Sequence, residues 1–530
     1  MPPRRPHAVI LPAVLIMIGL LSLMMAGFVF FVRAEAEGIK AFTDAQQARL
    51  IAESGMEEIV ALLREGVHDA SAWYDNPDKF HHALVWAEEY ERDSDPIEEV
   101  ASRREYLERT AAPSPAWRFS VVAPNYDGPE NTMRYGLTPE SAKVNLNAAS
   151  DEQLTMLFTP LLVDLEIENP QELIDYILDW RDPDSESREN GAENEYYNDL
   201  EPAYNAKNGD FNTVEELLLV KGVTAAVLYG EDVNRNGILD MNEDDGEDTF
   251  PFYDNGDGIL NHGLAPFLTI WAREADVSLD NKPRVSLYAD AGTITATLTS
   301  YETPDEESED EEEGGIPLSN ATLTFLGTIA GNQNVLQQMR SVADLLPGGE
   351  EVEEEEAVDP NDPNAAQAAV TPPELLASPV TPDELAYLMD RLTIRPQQQS
   401  QEPVLNLINI NAAPARVLMT IPGMTGDAAG AIIAARREVD AELLSTPAWP
   451  VITETIDAGT FKRIAPYITT KAYQFHVEVI GYADHLKIAK RMEWIIEMVG
   501  PLAQIKYHRD LTRLGLAWPL DIENVIVESE

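Results

Sequence analysis

The run from Ala8 to Val32 contains no charged residue, and no other feature constrains so strongly what the chain can become. About 25 residues at about 1.5 Å each exceed the roughly 30 Å of a hydrocarbon core, so the run reads as a membrane-spanning helix. Arg4 and Arg5 precede it, and Arg33 follows it at the edge of an acidic region. That bias leaves the short N-terminal side in the cytoplasm and exports the rest. A cleaved signal peptide is the competing reading. The apolar run is longer than the usual core of about 7–15 residues, and Ala34-Glu35-Ala36 is the nearest approach to a small-residue cleavage site. Beyond it, no proline occurs between Ala34 and Arg64, and Phe42, Ala45, Leu50, Ile51, Met56, Ile59, Val60 and Leu63 recur at spacings of three and four. The pattern predicts one helix of about 55 residues, apolar first and amphipathic afterwards, stopping at Gly66.

The 530 residues allow two or more domains, and 93 acidic against 37 basic residues give a formal charge of -56. A field of that sign repels nucleic acid and anionic lipid and attracts divalent cations and basic partners. Cysteine is absent, which excludes disulfides and thiolate metal sites. The eight histidines are scattered, and no HExxH, GxSxG or GxxxxGK[ST] constellation is present. The chain therefore reads as a structural protein and not as an enzyme.

The body alternates helical and extended signals. Trp73–Leu107 reads as mainly helical, and Trp117–Ala123 as a strand followed by a turn near Pro124. Asn147 is placed to cap a helix, and helices are predicted over Asp151–Leu157, Pro170–Trp180 and Val214–Leu219. The polar segments Asp179–Asp184 and Gly191–Tyr197 read as structural loops. Strands are predicted at Arg284–Ala289, Thr293–Ser300, Val451–Ile456 and Tyr473–Ile480, with Phe475, Val477, Val479 and Val499 facing an apolar layer. Ile316–Leu346 reads as a strand and a helix, Leu486–Val499 is ambiguous, and a helix begins at Pro382. The acidic stretches Glu302–Glu313 and Glu350–Glu356, the latter running on through Asn364, read as linkers. Asn409-Ile410-Asn411-Ala412-Ala413 echoes Asn145-Leu146-Asn147-Ala148-Ala149, which suggests two related helical units.

The strongest local motif runs from Asp232 to Glu243. It fills a twelve-residue calcium loop, with side-chain oxygens at Asp232, Asn234, Asn236 and Asp240, the Ile238 carbonyl, Gly237 at the bend and Glu243 as the bidentate ligand. A second acidic loop offers Asp254, Asn255, Asp257 and Asn261 in a less regular arrangement. With Gly258 at its sixth position, Tyr253 and Leu264 would occupy the first and twelfth, and neither is a suitable ligand. Two segments resemble helix-hairpin-helix turns: one around Pro422 and Gly423, and a partial one around Gly222. Such hairpins present backbone N–H groups to phosphate, so a membrane-anchored exported DNA-binding protein is the leading alternative from another class. The sparse cations Lys221, Arg436 and Arg437 in an acidic body favour a packing role instead.

Taken in order, several segments resemble the type II secretion system protein K family of minor pseudopilins. They are the basic leader and apolar helix, Gln47–Gly55, Val144–Ala149, Asp179–Asp182 with Gly191–Tyr197, Phe211–Thr224 and Asn409–Gly423. The resemblance implies an α+β fold with a long N-terminal transmembrane helix and a pseudopilin-like mixed sheet domain holding a large inserted helical domain. Its divisions would be a prepilin leader at 1–8, the helix at 9–66, sheet-domain segments at 67–143 and 451–530, the helical and calcium-loop insert at 144–280, a mixed region with acidic linkers at 281–400, and a hairpin region at 401–450. It further implies prepilin cleavage between Ala8 and Val9, with His7/Ala8 as the other choice, and bound Ca2+. The implied setting is the inner membrane, single-pass, with a periplasmic body. The implied partners are other minor pseudopilins, the inner-membrane components of the secretion system and a secreted protein substrate, at the tip of a pseudopilus. A type IV pilus-like minor subunit is the related alternative.

Overall fold

The computed structural model describes residues 10–87, 116–127, 132–246, 248–300, 318–347, 375, 377–396, 399, 402–483, 486 and 488–515. The leader with Ala8 and Val9, residues 88–107 of the stretch read as helical, and the acidic stretches 302–313 and 350–364 lie outside the described residues.

Helix α1 (Ile10–Gly66) runs unbroken for 57 residues. Its large apolar side chains from Leu11 to Val32 stand exposed, and this helix is long and apolar enough to cross a membrane once, with the rest of the body outside it. The second half changes surroundings. Ala48, Ile51, Ala52, Met56, Ile59, Val60 and Leu63 are buried against a sheet, which is the amphipathic half meeting its core.

That sheet has seven strands, five of them forming an antiparallel path: β1 (Ala83–Ala87), β2 (Ala116–Pro124), β3 (Gln474–Ala483), β4 (Ile488–Val499) and β5 (Leu502–Asp510). Two short strands, Met133–Arg134 and Thr138–Pro139, pair with β2 and β3. Val479 sits opposite both Val121 and Met492, so the chain before the insertion and the chain after it make one sheet. Side chains alternate between two faces. Phe119, Val121, Phe475, Val477, Val479, Met492, Trp494 and Ile496 form a core with α1. Gly481 lets the two come together: a Cβ there would lie 2.2 Å from the Ala48 carbonyl oxygen and 2.5 Å from the Ala52 nitrogen.

The other face is unusually polar and carries the insertion. Glu497 accepts from Arg273 Nε and Nη2 at 2.7 and 2.6 Å and from Gln474 at 2.8 Å. Glu493 accepts from His476 at 2.8 Å and from Arg509 at 3.0 Å, and Arg509 also reaches Glu215 at 2.7 Å. Burial alone would push both sheet carboxyls up, but these bonds hold each at about 2 against an ordinary 4.5. A folded value below the unfolded one stabilises the fold above pH 4.5 and is lost as pH falls towards 2. Urea unfolding across that window should show a declining stability. In Glu497→Gln the decline should be shallower, with the variant already weakened at pH 7.

The inserted body holds three versions of one small unit. Val144–Asn145 pairs in parallel with Leu268–Thr269, Val285–Ser286 with Leu392–Thr393, and Ile408–Asn409 with Ile468–Thr469. In each, the next residue of the first strand donates its N–H to the threonine carbonyl: Leu146 to Thr269, Leu287 to Thr393, Ile410 to Thr469. The three threonine hydroxyls accept from the backbone two residues on, at Trp271, Arg395 and Lys471. The outer two units also share an arginine. Arg181 donates to the carbonyls of Leu146 and Ala149, and Arg436 to those of Ile410 and Ala413. The echo visible in the asparagine-rich segments thus has a third member, whose Val285-Ser286-Leu287-Tyr288-Ala289 lacks the asparagines.

Several expectations need correction. Ala83–Ala87 is a strand, because it completes the sheet edge beside β2. Thr293–Ser300 lies within the helix Ala291–Ser300; Asp290 accepts from the Thr293 N–H and hydroxyl and starts it, overriding the β-branched composition. Val451 and Ile452 belong to a helical turn at Trp449–Ile452 and not to a strand. Within 318–347 the expected helix is present at Asn320–Ile329, with further helical turns at Gln333–Leu336 and Val342–Leu345, but the expected strand is not found among the described residues. Ser150, not Asn147, caps Asp151–Asp164, through a capping box with Gln153. Asn147 instead pairs with the Phe211 backbone on both sides. Val499 is exposed at the end of β4, away from the apolar layer of Phe475, Val477 and Val479.

Candidate functional site

The segment Asp232–Glu243 folds back on itself around its own oxygens. Asp232 accepts from the Asn236 and Gly237 N–H groups at 2.9 and 2.8 Å, and Asn234 accepts from Asn236 at 3.0 Å. Glu243 closes the ring, accepting from Val233 at 3.0 Å and Asp240 at 3.2 Å. The amides of Asn234 and Asn236 both reach Asp240 Oδ2, at 2.5 and 3.0 Å. The Asn236 side-chain oxygen accepts from the Ile238 N–H at 2.7 Å. Arg235 and Gly237 take positive φ, 60° and 68°, which turns the chain tightly enough to converge these groups.

The loop is seated on the polar face of the sheet. Arg491, fully buried, is paired with Glu478 and donates to the carbonyls of Asn234 and Arg235 at 2.7 and 2.8 Å. Ile238 packs against Val122, Ile480 and Tyr482. Asp232 and Glu243 are 4% and 1% exposed. Burial pushes Asp232 up to about 6; burial, with Asp232 and Asp240 nearby, pushes Glu243 up to about 7. For Asp232 burial outweighs the nearby Arg491 cation, and an all-oxygen donor set suits a hard divalent cation. The donor types suit such an ion, while among the described residues the acidic group whose oxygens all come within 4.8 Å of one another is Asp182, Asp184 and Glu193.

The second loop is stitched to the first. Asp254 accepts from Gly256 and Gly246 at 2.8 and 2.7 Å, and Asn255 and Asp257 each accept from the backbone two residues on. Asn261 donates to Glu231 through its backbone and its amide, at 2.9 and 3.3 Å. Asp254 is buried beside Glu231, whose carboxyl is raised by burial and by the Asp254 charge, while Asn255 and Asp257 face outward. The four residues thus do not share one centre, and Glu231 belongs with Asp254 and Asn261.

A further acidic group was read from sequence only as a structural loop. Asp182, Asp184 and Glu193 each offer an oxygen within 4.8 Å of the others, a group that can hold a divalent ion. Glu193 is buried, with the Asn208 side chain and the Asn194 backbone nearby but no donor in good hydrogen-bond geometry to either of its oxygens; Asp182 Oδ1 and Asn208 Oδ1 likewise lack a well-placed donor. Burial, with Asp179 and Asp182 nearby, raises the Glu193 carboxyl. Gly191 is required here, because a Cβ would lie 1.8 Å from Asp179 Oδ2. The Asp-x-Asp spacing at 182–184 is the signal that sequence reading passed over.

The hairpin turns face inward. Gly222 and Gly423 take φ of 76° and 84°; a Cβ on Gly222 would meet Leu173 at 3.1 Å and one on Gly423 would meet Arg463 at 2.8 Å. Pro422 sits in the turn between Ala415–Leu418 and Gly426–Ala435. Their cations are engaged within the fold. Lys221 lies over the Tyr176 and Tyr196 rings, Arg436 binds Asp127 at 2.9 Å, and Arg437 donates to the Asp127 carbonyl at 3.0 Å.

Residues 142–229, which hold the opening of the first unit and the Asp182 group, match the family model described as type II secretion system (T2SS), protein K. Among solved structures, a chain of the crystal structure described as the GspK-GspI-GspJ complex from the enterotoxigenic Escherichia coli type 2 secretion system is similar at 10% identity and a TM-score of 0.35, covering 89% of this chain and 98% of that one. No curated protein matches.

Proposed function

From the match of residues 142–229 to the type II secretion system protein K family model, we propose that the chain is a minor pseudopilin that initiates or caps pseudopilus assembly for protein export. It is a single-pass protein of the inner membrane with its body in the periplasm, and its role is mechanical, without catalysis. One observation carries the assembly reading: α1 passes without a break from an exposed apolar half to a half packed on the sheet, so the anchor and the body form one lever. A helix of that form packs beside like helices of other minor pseudopilins while the body covers the growing end. Ala8 and Val9 flank the proposed leader cleavage bond. Mass spectrometry of the N-terminus from native membranes is the test. A methylated terminus at Val9 or Ala8 supports the reading, and an intact or merely Met-trimmed terminus overturns it.

The cation we propose is Ca2+, held by Asp232, Asn234, Asn236, the Ile238 carbonyl, Asp240 and Glu243. Asp254 and Asn261 are weaker candidates beside it, with Asn255 and Asp257 weaker still. The ion would neutralise carboxylates that otherwise repel one another and would lock the loop against the sheet. Calcium at about 100 times its dissociation constant should stabilise the body by about 2.7 kcal/mol. Chelation should remove that gain in the full chain and should change nothing in Glu243→Gln. Calcium titration by calorimetry, with thermal unfolding in parallel, measures both.

A further inference from the structure

The cation loops expose an apolar patch that the fold itself does not use. Met241, Phe250, Phe252, Tyr253 and Ile259 are all exposed, Met241 at 91% and Phe252 at 64%. The Phe250 ring centre lies 6.1 Å from that of Phe252 and 6.4 Å from that of Tyr253. The Asn242 amide donates to the Phe250 carbonyl at 3.1 Å, which draws the Met241 turn to the aromatic group. Gly246 donates to Asp254 at 2.7 Å and Gly258 to Asp244 at 2.8 Å, which ties in the turn that carries Ile259. Exposing several large apolar side chains together is costly in water, and a gathered patch of this kind marks a contact surface.

Charge decides what covers it. No lysine, arginine or histidine occurs between Arg235 and His262, while Asp244, Asp245, Asp248 and Asp257 surround the aromatic residues in sequence. Arg235, the nearest cation in the chain, lies over the Tyr229 ring at 3.9 Å. A second copy of a chain with charge -56 is repelled, and so is an anionic lipid surface. The loop rests on the sheet face opposite α1, so helix packing along α1 leaves the patch free.

We propose that Met241, Phe250, Phe252, Tyr253 and Ile259 form a docking surface for a protein partner that presents an apolar pocket ringed by lysine and arginine, and that the cation loop holds this surface in shape. Aromatic side chains supply the contact area, and the aspartates choose the partner and speed its approach. The second half of the proposal rests on the calcium reading above.

The test places the photocrosslinker p-benzoylphenylalanine at Phe252 of the full chain, in the cells that make it, and identifies the joined peptide by mass spectrometry. The expected result is a dominant adduct to one protein, at a segment bearing both apolar and basic residues. With that protein purified, Phe250→Ser should weaken binding at least ~10-fold with thermal unfolding unchanged, and added salt should weaken it further. Adducts only to lipid, only to a second copy of the chain or to a segment without basic residues would overturn the docking surface, as would no adduct. Loss of the adduct in Glu243→Gln supports the role of the cation loop. Persistence of the adduct there, in a chain whose wild type binds calcium, overturns that role alone. An adduct from a wild type that binds no calcium sinks the calcium reading and leaves the docking surface standing.

Discussion

Arg491→Met is expected to cost the body roughly 3–5 kcal/mol of stability and to weaken calcium binding at the same time. Arg491 is fully buried, and its guanidinium joins three things: the Glu478 carboxylate on the neighbouring strand and the carbonyls of Asn234 and Arg235 in the Asp232–Glu243 loop. Methionine fills much of the space but leaves the Glu478 charge buried and alone, with two carbonyls short of a donor. Lysine in its place keeps the charge and loses the planar fork, so it should recover part of the stability and little of the loop's seating. Replacing the pair together, Arg491→Met with Glu478→Met, should restore much of the stability because no unpaired charge remains. It should not restore calcium affinity, because the loop carbonyls are still unheld. Urea unfolding of the full chain in detergent, with and without calcium, separates the two effects. A single variant within about 0.5 kcal/mol of wild type would show that the sheet and loop are not joined through this side chain.

Gly481→Val should be at least as damaging, although valine is a far better strand former than glycine. The new Cβ would fall 2.2 Å from the Ala48 carbonyl oxygen and 2.5 Å from the Ala52 nitrogen, both helix backbone, so no side-chain rotation relieves the overlap. Helix α1 has to lift from the sheet, at a cost above the roughly 1–3 kcal/mol usual for an overpacked core. Gly55→Ala meets side chains only, the Phe119 ring at 2.7 Å and Val479 Cγ1 at 3.1 Å, and should cost less. Gly38→Ala meets nothing and should be neutral, or favourable by up to about 1 kcal/mol through helix propensity. Hydrogen exchange across residues 45–60, with the unfolding curve, reads the lift directly; unchanged protection in Gly481→Val would contradict the close approach.

The sequence carried the long helix and its stop at Gly66, since lipid length and three-four spacing are local properties of the chain. It also carried the tight bend of the Asp232–Glu243 segment, where Arg235 and Gly237 take positive φ within two residues of one another. The strand at Trp117–Ala123 was legible from its apolar run, whereas the equally apolar Ala83–Ala87 was absorbed into a helical reading because only its pairing with β2 makes it a strand. The Thr293–Ser300 helix was lost for the opposite reason, because one aspartate cap outweighed a run of β-branched residues. The partners of Arg491, the approach of Gly481 to α1, the convergence of Asp182, Asp184 and Glu193, and the third unit at Val285 came only from tertiary structure. Each depends on segments separated in sequence, or on a backbone pattern that different side chains can satisfy, and neither leaves a periodic trace. Composition and spacing record what a segment buries; which other segment it is buried against is decided by packing.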